Sequence, residues 1–173
     1  MSYPCEPRIP SPSGRGVVKD SEPSLYFQFE ADFVNTLRCI PLSVRYKLDT
    51  CGVKLKLSHW HQFSLTDRQQ CLSQACDTPE TIAAYREMLQ TLVVQYTGQP
   101  AASLTIPSNS PWLNAESIPP QVLAQAQTVN RSLSLQDWQT LSALKRFALI
   151  KLSQPGHENR NFLPALDEFI MGA

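Results

Sequence analysis

At 173 residues the chain has the length of one compact domain. A domain of that size buries roughly 70% of its unfolded surface and needs neither metal nor disulfide to complete a core. Fifteen basic and fifteen acidic side chains cancel, which excludes a surface built throughout for nucleic acid or anionic lipid and confines any charged docking site to a local patch.

Residues 1–24 stand apart. Pro4, Pro7, Pro10, Pro12 and Pro23, with Ser11, Ser13, Gly14 and Gly16 among them, offer few apolar side chains to offset the entropy of ordering the backbone. A Pro/Ser-rich disordered tail is expected there, and a helical domain over residues 25–173. Residues 31–39 and 41–50 carry partial helical stripes, with Gly52 placed to stop the second. Residues 53–57 alternate apolar and basic side chains, which permits a short strand, yet no second strand pattern offers it a partner. Another short helix is expected over residues 66–73. A longer one follows, with Asp77 or Thr78 as cap, Pro79 in its first turn, Glu80 reaching back and Gly98 as the stop. Within it Ile82, Tyr85, Leu89, Leu92, Val93 and Tyr96 share a face, and Arg86, Glu87, Gln90 and Gln95 lie mostly opposite.

Residues 100–120 are proline-rich but also hold Leu104, Ile106, Trp112, Leu113 and Ile118, so they read as an ordered crossover pinned by those apolar groups. Short helices are expected over residues 119–129 and 161–169. Between them one long helix should start at Ser134 and run to about Ser153, before Pro155 and Gly156. Trp138, Leu141, Leu144, Ala148, Leu149 and Leu152 share its face while Phe147 and Ile150 point elsewhere, the mark of a central helix covered from several sides. Lys145 falls within the apolar face, its stem buried and its ammonium reaching out or paired. The expected fold class is all-α, a compact single-domain bundle of about six to seven helices.

Residues 1–20 lack the apolar run of a signal peptide, and no later segment approaches the roughly 20 apolar residues of a membrane span. A cytoplasmic protein is expected. Cysteines at 5, 39, 51, 71 and 76 are odd in number and scattered, which fits thiols behaving as small hydrophobes and not a disulfide framework.

Three groups of residues bear on chemistry. Cys51, His59 and His61 supply three soft ligands, but without the paired spacing of structural zinc sites; in the plainer reading His59 and His61 flank a packing Trp60. The loop containing His157, Glu158 and Arg160 joins an imidazole, a carboxylate and a guanidinium, suited to acid–base work or to gripping an anion. It equally serves to end one helix at Pro155 and Gly156 and to cap the next at Asn159 or Asn161. With no nucleophile or glycine-rich phosphate loop beside it, structure outweighs catalysis. Third, Arg38, Arg45, Lys47, Lys54 and Lys56 face only Asp49 along one segment, followed by His59, Trp60 and His61. Such a patch fits an acidic protein surface, or single-stranded nucleic acid, or else a solvated helix face. No nucleic-acid-binding motif accompanies it.

The strings FQFEADFVNTLRCIPLSVRYKLDTCGVKLKLS (residues 27–58), SLTDRQQCLSQACDTPETIAAYREMLQ (64–90) and LKRFALIKLSQPGHENRNFLPALDEF (144–169) resemble the nitrate reductase-associated protein family, found mostly in cyanobacteria. The resemblance implies an accessory protein needed for the activity of the assimilatory, molybdenum-containing nitrate reductase, not the reductase. The manner of action does not follow from it: assembly or cofactor insertion, service as a small subunit, and help in docking the electron donor ferredoxin all stay open. The residues agree: no cysteine cluster holds an iron–sulfur centre, and this length does not enclose a molybdopterin dinucleotide. No cofactor, metal or catalytic residue is expected. The expected partner contacts are Arg45, Lys47, His59, Trp60 and His61, with His157, Glu158 and Arg160 as a second group. The competing classes are a nucleic-acid or regulatory module using the basic segment, and a small enzyme using the His157 loop.

Overall fold

The computed structural model describes residues 25–34 and 36–171, and of Phe33, His157 and Glu158 the backbone only. The expected tail, with Cys5, lies outside the described residues. Helix makes up 63% of the described residues and strand 3%, so the fold is all-α.

A 3-10 turn at Gln28–Glu30 leads into α1 (Ala31–Val34). α1 is a single turn, shorter than the helix expected over residues 31–39. Beyond it Leu37 takes a left-handed backbone at φ 51°, which no helix accommodates. Two carboxylates anchor this entry. Buried Glu30 accepts from the amides of Leu42 (2.9 Å) and Phe27 (3.3 Å), and burial holds its carboxyl above the usual range. Glu168 accepts from Gln28 and Phe29, near the other end of the chain.

α2 (Leu42–Cys51) is the wall between two cores. Val44, Leu48 and Cys51 face a first core with Trp60, Phe63, Tyr85, Leu89 and Val93. Leu42 and Tyr46 face a second with Trp112, Trp138, Phe147, Leu149, Phe162 and Phe169. Gly52 ends α2 at φ 70°. A Cβ there would sit 2.9 Å from the carbonyl oxygen of Leu104, so both backbone angle and space require glycine.

The strand suspected after Gly52 does have a partner. β1 (Val53–Lys54) pairs antiparallel with β2 (Ala102–Ser103), Val53 opposite Ser103 and Lys54 opposite Ala102. The partner comes from the proline-rich crossover, whose composition gives no strand signal. α3 (Leu57–Gln62) follows where no helix was expected. α4 (Leu65–Ser73) starts at a capping box, Ser64 accepting from Asp67 N and Asp67 reaching back. α5 (Pro79–Thr97) is capped by Thr78 and stopped by Gly98 at φ 77°. The residue reaching back is Thr81, whose hydroxyl accepts from the amides of Asp77 and Thr78, and not Glu80. Tyr85, Leu89, Leu92 and Val93 are buried on its expected face.

In the crossover only part of the expected apolar set is inside. Trp112 is buried, while Ile106 and Leu113 stay 50% and 62% exposed. Trp112 packs edge-on against Tyr46 and Phe147. After α6 (Pro120–Thr128) the single helix expected over residues 134–153 is two: α7 (Leu135–Thr140) and α8 (Ala143–Leu152). Leu141 turns extended (φ −69°, ψ 142°), which buries its side chain, and Ser142 caps a fresh helix by accepting from Lys145 N. That local bond competes with continuing the first helix. α8 is central as expected, with Phe147, Ala148, Leu149, Ile150 and Leu152 all buried. α9 (Phe162–Ile170) closes the second core.

Far-ultraviolet circular dichroism should be dominated by helix; a spectrum of mainly strand character contradicts this fold. Gly52→Ala should lower stability by about 2 kcal/mol, the sum of a left-handed backbone penalty and a displaced Leu104 carbonyl. Urea denaturation reads it, and a loss below 0.5 kcal/mol would show that the turn tolerates a side chain.

Candidate functional site

The basic segment is spent unevenly. Lys47 points inward: its Nζ donates to the carbonyls of Leu72 (2.6 Å), Gln74 (2.7 Å) and Cys71 (3.3 Å) and lies over the Tyr85 ring. It plugs the carboxyl end of α4, and burial lowers its pKa. Trp60 is fully buried and donates Nε1–H to the Leu37 carbonyl at 2.7 Å. Of the residues expected at a partner contact, Trp60 is thus buried and Lys47 has its ammonium engaged by carbonyls of the fold. Arg45 donates Nε–H to the Ile40 carbonyl at 3.1 Å. His61 is exposed and donates from Nε2 to the Arg38 carbonyl. His59 is half-buried, and burial together with Lys56 lowers its pKa.

Of the basic segment, Arg45 and Lys54 reach one groove. An open depression of about 320 Å³ lies between α2, β1, the start of α3 and α8. Ile40, Leu48, Val53 and Leu55 supply apolar lining, and Arg45, Lys54 and Lys151 bring cations to it against the single carboxylate of Asp49. Lys151 Nζ pairs with Asp49 at 2.8 Å and sits over the Phe147 ring, which fixes α8 against α2. Leu57, half exposed, stands at the groove. Lys151 was not among the residues expected from the sequence; only the packing of α8 on α2 brings it beside Lys54, and no local pattern reports that.

The suspected metal ligands do not meet. Among the described residues no group of three or more His, Cys, Asp or Glu side chains is placed to hold a metal ion. Cys51 is buried, its thiol donating weakly to the Leu48 carbonyl and its pKa pushed up to about 11 by burial. Cys71 and Cys76, also buried, are pushed up to about 12 for the same reason. Residues His157–Asn161 form a 3-10 turn in which Arg160 is exposed. The side chains of His157 and Glu158 lie outside the described set. Asn161 begins α9 without a side-chain cap, and Asn159 Nδ2 donates instead to Gln125 at 3.4 Å.

A family model described as conserved nitrate reductase-associated protein matches residues 26–169. No curated protein and no solved structure matches the chain.

The thiols give a direct check on this arrangement. Cys39 is exposed, whereas buried thiols with raised pKa are poor nucleophiles. At pH 7.5 (about one unit below a free thiol's pKa) iodoacetamide should modify Cys39 and leave Cys51, Cys71 and Cys76 intact until the protein is unfolded. Peptide mapping that finds Cys71 or Cys76 modified in the native state would contradict the packing around Lys47.

Proposed function

Because the chain belongs to the conserved nitrate reductase-associated family, we propose that it is a non-catalytic accessory protein that binds assimilatory, molybdenum-containing nitrate reductase in the cytoplasm and is needed for its activity. The observation that carries the contact surface is the groove, where three cations and one carboxylate surround an apolar lining. Its chemistry suits an acidic partner segment that also carries an apolar side chain, the first read by Lys54, Lys151 and Arg45 and the second by Leu57 and Leu55. Exposed His61 belongs to the same basic stretch as Lys54 and joins this contact, with His59 behind it. Lys47 and Trp60 support the surface from inside. Arg160, with His157 and Glu158, is the alternative contact. The accessory role itself, whether assembly, cofactor insertion or service as a small subunit, is exercised through the bound reductase.

Lys54→Glu combined with Leu57→Ser changes two exposed positions. The double variant should melt within about 2 °C of the parent, since surface substitutions away from caps and cores cost little. In cells grown on nitrate it should recover at least roughly tenfold less reductase in a pull-down, a change of about 1.4 kcal/mol in binding, and reductase activity should fall with it. Binding that survives this change and disappears with Arg160→Glu would move the contact to the loop. Survival of both would refute a contact at either surface.

A further inference from the structure

We propose that the groove also receives a second copy of this chain, through the turn that carries Leu113 and Glu116. The chain is neutral, with fifteen bases against fifteen acids, so a local excess of cations has its complement elsewhere on the same molecule. At the groove Lys54 and half-exposed Leu57, three residues apart, ask for a carboxylate beside an apolar side chain. The turn that follows the 3-10 helix Pro111–Leu113 offers that pair: Leu113, 62% exposed, and exposed Glu116. The order is reversed, apolar first and acidic three residues on. Two such segments running antiparallel set Glu116 against Lys54 and Leu113 against Leu57. Among the described residues neither Lys54 nor Glu116 has an ion pair of its own, and opposite charges on facing surfaces fix register and steer encounter.

The turn is held from beneath. Trp112 and Trp138 are both buried, Trp112 edge-on against Tyr46 and Phe147. Trp138 donates Nε1–H to the Asn114 carbonyl at 3.0 Å. Asn114 in turn accepts at Oδ1 from Glu116 N (2.8 Å) and donates from Nδ2 to Ser117 Oγ (3.0 Å), while Leu113 N donates to the Ser110 carbonyl at 2.9 Å. Two buried indoles thus fix a backbone that presents a leucine and a carboxylate to solvent. A contact made by so fixed a turn loses little conformational entropy. Neither Leu113 nor Glu116 lines the groove of its own chain, and the anchored backbone keeps them from it, so the turn meets a groove only on another copy. Turn and groove are unlike surfaces, which makes the contact head-to-tail.

The proposal rests on the groove's chemistry and not on the reductase, so the two readings part in the test. Sedimentation velocity of the full chain should show the weight-average mass rising above one chain between about 1 and 300 µM, the range of a Kd on the order of 10–100 µM. Leu113→Ser combined with Glu116→Lys should hold the protein at one chain throughout, and so should Lys54→Glu combined with Leu57→Ser. Both variants should melt within about 2 °C of the parent, since all four positions lie on the surface. An equal mixture of the two supplies one intact turn and one intact groove, and should associate again, stopping at pairs. The turn variant keeps its groove and should recover reductase at least as well as the parent. If the groove variant loses reductase but still self-associates, the proposal fails and the accessory contact stands; if it loses self-association but keeps reductase, the proposal stands and the accessory contact fails. A parent that stays at one chain at about 300 µM, or two variants that stay at one chain when mixed, overturns the proposal.

Discussion

The carboxyl ends of short helices are the constraint around which this protein is organised. A helix leaves its last carbonyls without intrahelical donors, and in helices of six to ten residues those groups are a large share of the backbone. Three of the ends are closed by cations borrowed from elsewhere in the chain. Lys47 of α2 serves α4; Arg86 of α5 donates to the carbonyls of Cys51 and Gly52 at the end of α2; Arg68 of α4 donates to Trp60 and His61 at the end of α3. Each pairing also complements the negative end of a helix dipole. Hydrogen bonds to charged groups contribute roughly 1.5–3 kcal/mol apiece. More important, the caps run from α5 to α2, from α2 to α4 and from α4 to α3, linking the four helices in an open chain.

The same chemistry explains why a run of basic residues is a poor guide to a docking surface here. Between Arg38 and Lys56 the charges look alike in sequence, but Lys47 is consumed by carbonyls and Arg45 is shared between the Ile40 carbonyl and the groove. Arg86 likewise seemed to belong to the solvent face of α5, yet it reaches Gly52 and the hydroxyl of Ser103, while Gln90 holds both the amide and the carbonyl of Ala101. The polar face of that helix is what pins β2 in place.

What could be read from the sequence was local. Thr78, Ser134 and Gly98 act at their own helix ends, and α5 begins and stops where its caps and glycine say. The family strings were equally legible, and they lie within the matched residues 26–169. The break at Leu141 was not, because the apolar spacing runs on through it and a single serine decides whether the helix restarts. Nor was the β1–β2 pair, since one of its strands carries no strand pattern. Trp60 looked like an aromatic anchor beside two histidines; its burial depends on Leu37, which lies a loop away and needs a left-handed turn to offer its carbonyl. The groove was hidden for a similar reason: its cations come from three elements, and only tertiary packing sums them.

α2, as the wall between two cores, has a consequence for how the chain is made. The buried residues of the first core, Val44 and Leu48 among them, are all synthesised by Ala101, whereas those of the second core other than Leu42 run from Trp112 to Phe169. A nascent chain halted between those points carries a finished first core with a bare aromatic stripe along its outer side. It also lacks Lys151, and Asp49 then stands at the groove without its counter-ion. The surface proposed for docking is thus assembled only after α8 has left the ribosome, which makes a basic groove a signature of the completed chain and leaves incomplete chains marked by exposed Tyr46.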